Sequence, residues 1–194
     1  MTIALWKKLL VVTPAFLIVH LTASGIPQLI DGFREFWELT PGQDTRIALA
    51  FPAGYAAAIP LALLLPVRGL RAGLTLAILV CLLASAVMAF YVNGYGFAMP
   101  ILLSLGAAAG FSVPISGRLL GLSRVPPLAI AMSVLVVVGW YASIPFFEFF
   151  KQGLPIGDAA GWAGPYIVQA VLALVWLPLA LFSIPSRPPG RFRQ

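Results

Sequence analysis

An all-α membrane protein, crossing the bilayer six times with both termini on the cytoplasmic side, is the fold this sequence predicts. Three observations lead there: a composition too apolar for a solvated surface, six apolar runs of spanning length, and a one-sided partition of charge. Of the 194 residues, 61% are hydrophobic and 9% charged, where a soluble domain carries about 25% charged residues. Mean hydropathy is +1.00. This excludes a soluble enzyme, a disordered chain and a disulfide-rich secreted domain. The lone cysteine, Cys81, allows no intrachain disulfide and no cysteine metal cluster.

A hydrocarbon core of about 30 Å needs about 20 apolar residues in helical conformation. The runs 9–30, 47–67, 72–92, 97–116, 125–147 and 161–184 meet that length. The first follows Lys7 and Lys8 and resembles a secretory signal peptide, with Ala23-Ser24-Gly25 as a cleavage-like end. It is also long enough to span, and is read as a membrane helix. Within 28–39, Leu29, Ile30, Phe33 and Trp37 recur at helical spacing opposite Asp31, Arg34, Glu35 and Glu38. That pattern predicts a short interfacial helix, or an overhang of the first span. Phe146–Phe150 is expected to dip into the same interface. The whole of 1–184 reads as one bundle. The tail 185–194, rich in Pro and Arg, reads as a basic cytoplasmic extension.

Charge orients the bundle. With six spans, Lys7, Lys8, Arg68, Arg71, Arg118, Arg124 and the tail arginines fall inside. All 6 acidic residues fall outside, with only Arg34, Arg46 and Lys151 of the 12 bases. This is the positive-inside rule, and an odd span count would scramble it. Outer aromatics, among them Phe33, Phe36, Trp37, Tyr91, Tyr95, Trp162 and Tyr166, suit the headgroup region. Heavy Ala, Leu, Gly and Pro use suggests a GC-rich bacterial origin, hence a bacterial inner membrane.

Helices in lipid associate by close backbone packing. Gly106 and Gly110 form a GxxxG pattern, and Ala50, Gly54 and Ala58 repeat the spacing in the second span. These are expected helix–helix seams. Prolines stand within every span but the third: Pro14, Pro52, Pro60, Pro100, Pro114, Pro145 and Pro178. Each removes a backbone donor, which membrane helices tolerate when neighbours satisfy the freed carbonyl.

From Leu39 to Leu83 the chain carries Leu-Thr-Pro-Gly-Gln, then Ala53-Gly54-Tyr55-Ala56-Ala57-Ala58-Ile59-Pro60-Leu61, then Val67-Arg68-Gly69-Leu70-Arg71 and a further apolar run. With the Gly-rich fourth span and the ending Phe182-Ser-Ile-Pro-Ser-Arg187, this resembles the amino-terminal six-helix half of a major facilitator superfamily transporter, drug:proton antiporter type. The resemblance implies a half-transporter bundle. The family's charged loop between its second and third spans is matched here only by Gly69 and Arg71. Ala62, Pro66, Val67 and Leu70 stand at its other signature positions, and Pro100 stands where proton-coupled members carry a buried arginine. Two halves enclose a substrate in that family, so transport by this chain would require a homodimer.

Ionisable residues inside a membrane are costly and mark function. No Asp, Glu, Lys or Arg lies near the middle of any span; His20, the only histidine, is the exception. Three readings of it stay open: a neutral histidine bonded to a neighbouring helix, a cavity or substrate contact, or an axial ligand to haem or a chlorophyll-type pigment. Gln169 in the sixth span is expected to face the bundle. Trp140 and Tyr141 either line a cavity with it or fill the core. Hydroxyls within spans are expected to bond their own helix backbone. Arg68, Arg71, Arg118 and Arg124 either bind anionic headgroups or simply orient the protein. Ser112 lacks the second glycine of a Gly-x-Ser-x-Gly elbow, and no phosphate loop, HExxH or acidic metal cluster is present in the sequence. The chain is therefore not expected to be an enzyme. Two functions remain: a transporter-like bundle moving a small solute as a homodimer, or a non-catalytic accessory or assembly subunit of an electron-transfer or light-harvesting membrane complex. Expected partners are membrane lipids and either a second copy or other membrane subunits, with no nucleic acid.

Overall fold

The computed structural model describes residues 3–23, 25–121, 147, 149 and 161–184. Among these the chain is all-helical. In order they form α1 (Ile3–His20), α2 (Ile26–Trp37), α3 (Pro41–Leu63), a 3-10 turn (Val67–Gly69), α4 (Leu70–Tyr91), α5 (Tyr95–Leu120), a second 3-10 turn (Gly161–Ala163) and α6 (Gly164–Ser183). The segments Pro41–Leu63, Val67–Tyr91, Tyr95–Leu120 and Gly164–Ser183 are each long and apolar enough to cross a membrane. The fifth expected span, 125–147, lies outside the described residues except for Phe147. The basic tail 185–194 lies outside them entirely.

The first expected span, 9–30, requires correction. It is not one helix. α1 ends at His20, the chain turns through Leu21–Gly25, and α2 begins at Ile26. The reason is local. Pro27 in a continuous helix would clash with the carbonyl of Ala23 and lack a donor. At the start of a new helix the same proline is favoured. Gly25 also has the Phe147 ring packed where a Cβ would stand, so a larger residue is excluded there. His20 consequently sits at the end of a helix rather than in the middle of a span.

α2 is amphipathic. Ile26, Leu29 and Phe33 are buried, while Asp31, Arg34, Glu35 and Glu38 face outward. It packs against α3 and the Gly161–Ala163 turn. Glu38 closes it in the left-handed conformation, φ 50°, with its N–H on the Arg34 carbonyl. Arg34 then pins α2 to the next helix: its Nε and Nη2 both lie 2.7 Å from Asp44 Oδ2, and Nη1 lies 3.1 Å from Asp31 Oδ1. The hydrogen bond to Asp44, followed by that carboxylate's charge, raises the Arg34 pKa above its ordinary value. Arg34→Gln is expected to speed amide hydrogen exchange across α2 while leaving α4 and α5 unchanged; equal exchange in both proteins would show that the apolar face alone seats α2.

Thr40 and Pro41 start α3. The Thr40 backbone N–H donates to Gln43 Oε1 at 2.9 Å, closing the first turn. At the other end Arg118 Nη1 donates to the Leu65 carbonyl at 2.8 Å, which holds the α3–α4 connection against α5. α5 is central, packing on α1, α3 and α4, while α6 closes the other side against α1 and α4. α3 and α5 run parallel, since Phe51 meets Gly106 and Tyr55 meets Gly110. α1 and α6 run antiparallel, since Trp176 Nε1 donates to the Val11 carbonyl (2.9 Å) and Gln169 meets Ile18.

These directions sort the described charges. Lys8, Arg68, Arg71 and Arg118 lie at one end of the bundle, hereafter the arginine end. Asp31, Arg34, Glu35, Glu38, Asp44 and Arg46 lie at the other, the acidic end.

Candidate functional site

The described interior holds few polar side chains, and the most connected of them is Gln169. It is fully buried on the inward face of α6. Its Oε1 accepts from Thr22 Oγ1 (3.0 Å) and from Ser85 Oγ (2.7 Å). Its Nε2 donates to the Ile18 carbonyl (2.9 Å), with the Val19 carbonyl at a marginal 3.5 Å. One amide thus joins three elements: the end of α1, the following turn, and α4.

The sequence makes this node necessary. A helix leaves its last four carbonyls without intrahelical partners, and α1 ends inside the bundle. Gln169 is five residues from the start of α6, so α1 stops about 8 Å short of that helix's outer end. Water is excluded there, and unpaired carbonyls would be expensive. Turn bonds take part of the load: Leu21 N–H reaches Ile18 O (3.2 Å) and Ala23 N–H reaches His20 O (3.0 Å). Gln169 supplies the remaining donor from another helix. Cys81, one turn before Ser85 and within hydrogen-bonding reach of it, is buried beside the node.

His20 takes a different direction. Its Nδ1 lies 2.8 Å from the Phe16 carbonyl. A carbonyl only accepts, so Nδ1 carries the proton and Nε2 is a bare acceptor. The ring packs on Phe16 (centroids 4.1 Å) and meets Tyr55 of α3 edge-on at 5.9 Å. Nε2 is buried and has no hydrogen-bond partner. The structure therefore brings Gln169 to α1 but does not join it to His20. An unprotonated imidazole nitrogen has the donor character a haem or pigment metal needs. Among the described residues no group of three or more His, Cys, Asp or Glu side chains is arranged to hold a metal ion.

Beneath α2 lies an aromatic layer. Phe33 stacks on Trp37 (4.8 Å, 10°), and Trp162 meets Phe33, Trp37 and Phe36 edge-on at 5.1–5.8 Å. Tyr166, one turn below Trp162, is fully buried. The indole nitrogens of Trp37 and Trp162 and the Tyr166 hydroxyl have no hydrogen-bond partner among the described residues.

The three glycines form the α3–α5 seam. A methyl built on Gly54 meets the Leu103 carbonyl; on Gly106, that of Phe51; on Gly110, that of Tyr55. Arg68 and Arg118 are exposed and Arg71 is half-buried at the arginine end. Arg124, Trp140 and Tyr141 lie outside the described residues.

Thr75, Ser104 and Ser112 bond their own helix backbone. Thr22 and Ser85 depart from that expectation by serving Gln169. The missed signal was Thr22-Ala-Ser-Gly25 before Pro27: a helix stop inside an apolar run, which requires a donor from elsewhere. No protein-family model, no curated protein and no solved structure matches this chain.

Proposed function

We propose that this protein is a non-catalytic accessory or assembly subunit of a larger membrane complex. In this reading it has six spans, lies in a bacterial inner membrane, and keeps both termini cytoplasmic. One observation carries the accessory role: the most connected polar group of the described interior is spent on holding helices together. Gln169, the best candidate for a substrate contact, has both ends of its amide engaged by Thr22, Ser85 and the end of α1. The other buried polar residues described, Ser112, Ser116 and Asp44, add no charged group to the bundle's interior, because Asp44 sits at the acidic end and is paired with Arg34. Among the described residues no Asp, Glu, Lys or Arg lies in the bundle's interior, and the proton on His20 Nδ1 is held by the Phe16 carbonyl, an arrangement poor in groups with which to couple transport.

The topology supports six spans. α5 finishes at the arginine end and α6 starts at the acidic end, which agrees with the further span that the sequence expects at 125–147. The positive-inside rule then makes the arginine end cytoplasmic.

A second reading, a half-sized transporter working as a homodimer, draws on the interruption of the first apolar run at Leu21–Gly25. Discontinuous helices line the substrate sites of many transporters, and the resemblance to the major facilitator superfamily points the same way.

Purification from the native membrane in a mild detergent, with mass spectrometry and an absorbance spectrum, separates the two. Stoichiometric recovery with other subunits is expected. A colourless homodimer without partners would reject the accessory role and favour transport. His20→Ala is expected to leave assembly and spectrum unchanged; loss of a visible band in that variant would make His20 a haem or pigment ligand.

A further inference from the structure

The acidic residues of this chain are Asp31, Glu35, Glu38, Asp44, Glu148 and Asp158; none lies between Asp44 and Glu148. Arg68, Arg71 and Arg118 all fall within that stretch. The structure gathers them around one connection. Arg118 is held there by its 2.8 Å bond to the Leu65 carbonyl. That bond goes to a neutral group, so the guanidinium charge is left uncompensated. Arg68 sits in the Val67–Gly69 turn, two residues beyond Pro66, and Arg71 sits in the first turn of α4. Leu65 and Ile115 close over Gly73 beneath them, which fixes the relative position of turn and helix end. Both described ion pairs, Arg34–Asp31 and Arg34–Asp44, are at the acidic end.

The apolar surroundings of these arginines are as informative as the charges. Leu64 is 80% exposed, Leu63 60% and Val67 58%, immediately beside Arg68. A water-facing connection has no use for three such side chains within 63–67. A lipid does: acyl chains cover Leu63, Leu64 and Val67 while the headgroup phosphate meets the guanidiniums.

We propose that the α3–α4 connection and the end of α5 form a binding site for an anionic phospholipid of the surrounding leaflet. Arg68 and Arg71 hold the headgroup, Arg118 braces the site from α5, and Leu64 and Val67 take the upper acyl chain. The site rests on membrane placement and is independent of the accessory role proposed above.

The test uses the full-length protein in nanodiscs containing phosphatidylglycerol and phosphatidylcholine, transferred to detergent, with retained lipid counted by native mass spectrometry. Wild-type protein is expected to retain phosphatidylglycerol in preference to phosphatidylcholine. R68Q/R71Q is expected to lose about tenfold or more of that preference. Arg68 is exposed and Arg71 half-buried, and an unchanged thermal midpoint in pure phosphatidylcholine verifies that the variant is folded. If the double variant does not fold, R68Q alone, at an exposed position, is expected to reduce the preference several-fold. Equal retention of the two lipids by the wild type would overturn the proposal. So would an unchanged preference in the folded variant. Retention of inorganic phosphate by the wild type, lost in R68Q/R71Q, with no preference for phosphatidylglycerol would assign the arginines to a free anion and likewise reject the lipid site.

Discussion

Gln169→Leu is expected to destabilise the bundle by about 2–4 kcal/mol, measured by equilibrium unfolding in bicelles. The size follows from what the substitution strands. Thr22 and Ser85 lose an acceptor, but hydroxyls on or near helices turn readily to a local carbonyl, as Thr75 and Ser104 already do. Their loss is modest, about 0.6 kcal/mol for an average interhelical bond in a membrane. The end of α1 has less recourse: the Ile18 carbonyl keeps the Leu21 N–H at 3.2 Å but loses its shorter bond, and the Val19 carbonyl loses its side-chain contact. They end α1 inside the bundle, and leucine offers no donor. An unsatisfied buried group costs about 1–3 kcal/mol, so this loss dominates.

Gln169→Glu distinguishes the two halves of the node. An ionised carboxylate still accepts from Thr22 and Ser85 but presents only acceptors to the Ile18 carbonyl, so it is expected to be no better than leucine above the acid's pKa. Should Gln169→Leu leave stability unchanged, the end of α1 must be satisfied by another donor, and the node would not be what holds that helix end.

The node also shows how far the sequence could be read. The apolar runs, the one-sided charge and the amphipathic pattern of 28–39 depend on composition and periodicity, which a single chain carries openly. α2 follows directly from Leu29, Phe33 and their charged opposites. The break at His20 was encoded as well, in Pro27, but a hydropathy window averages a proline and two hydroxyls into an otherwise apolar run. The partner choice was not legible. Nothing local tells Gln169 to reach α1 rather than His20, because that depends on α1 and α6 running antiparallel at a particular register. That register is set by long-range packing, such as Trp176 on the Val11 carbonyl. Gly54, Gly106 and Gly110 could be picked out by spacing; that each lies against the backbone of the other helix, with α3 and α5 in parallel, could not.

Gly106→Val and Gly110→Val are each expected to separate α3 from α5, and together to prevent accumulation of folded protein. Even alanine at either position is expected to cost about 1–3 kcal/mol. The magnitude depends on what the new methyl meets. At Gly106 and Gly110 it meets the backbone carbonyls of Phe51 and Tyr55 on a parallel helix. A side chain could rotate away; a helical carbonyl cannot move without moving its helix. Because both contacts lie on one seam, four residues apart, the helix separation that relieves one relieves the other, and the double substitution should cost less than the sum of the singles. In lipid nothing apolar drives the helices back together, since acyl chains solvate leucine as well as a neighbour does. Gly96 provides the control. It lies in the first turn of the same helix with nothing within 4 Å of its Cβ position, so Gly96→Ala is expected to be neutral or to stabilise by up to about 1 kcal/mol through helix propensity. Thermal midpoints for the three alanine variants in one detergent check the contrast. If all three behaved alike, the effect would belong to glycine's intrinsic cost in a helix. A loss confined to Gly106 and Gly110 would locate it in the seam that sets the parallel register of α3 and α5.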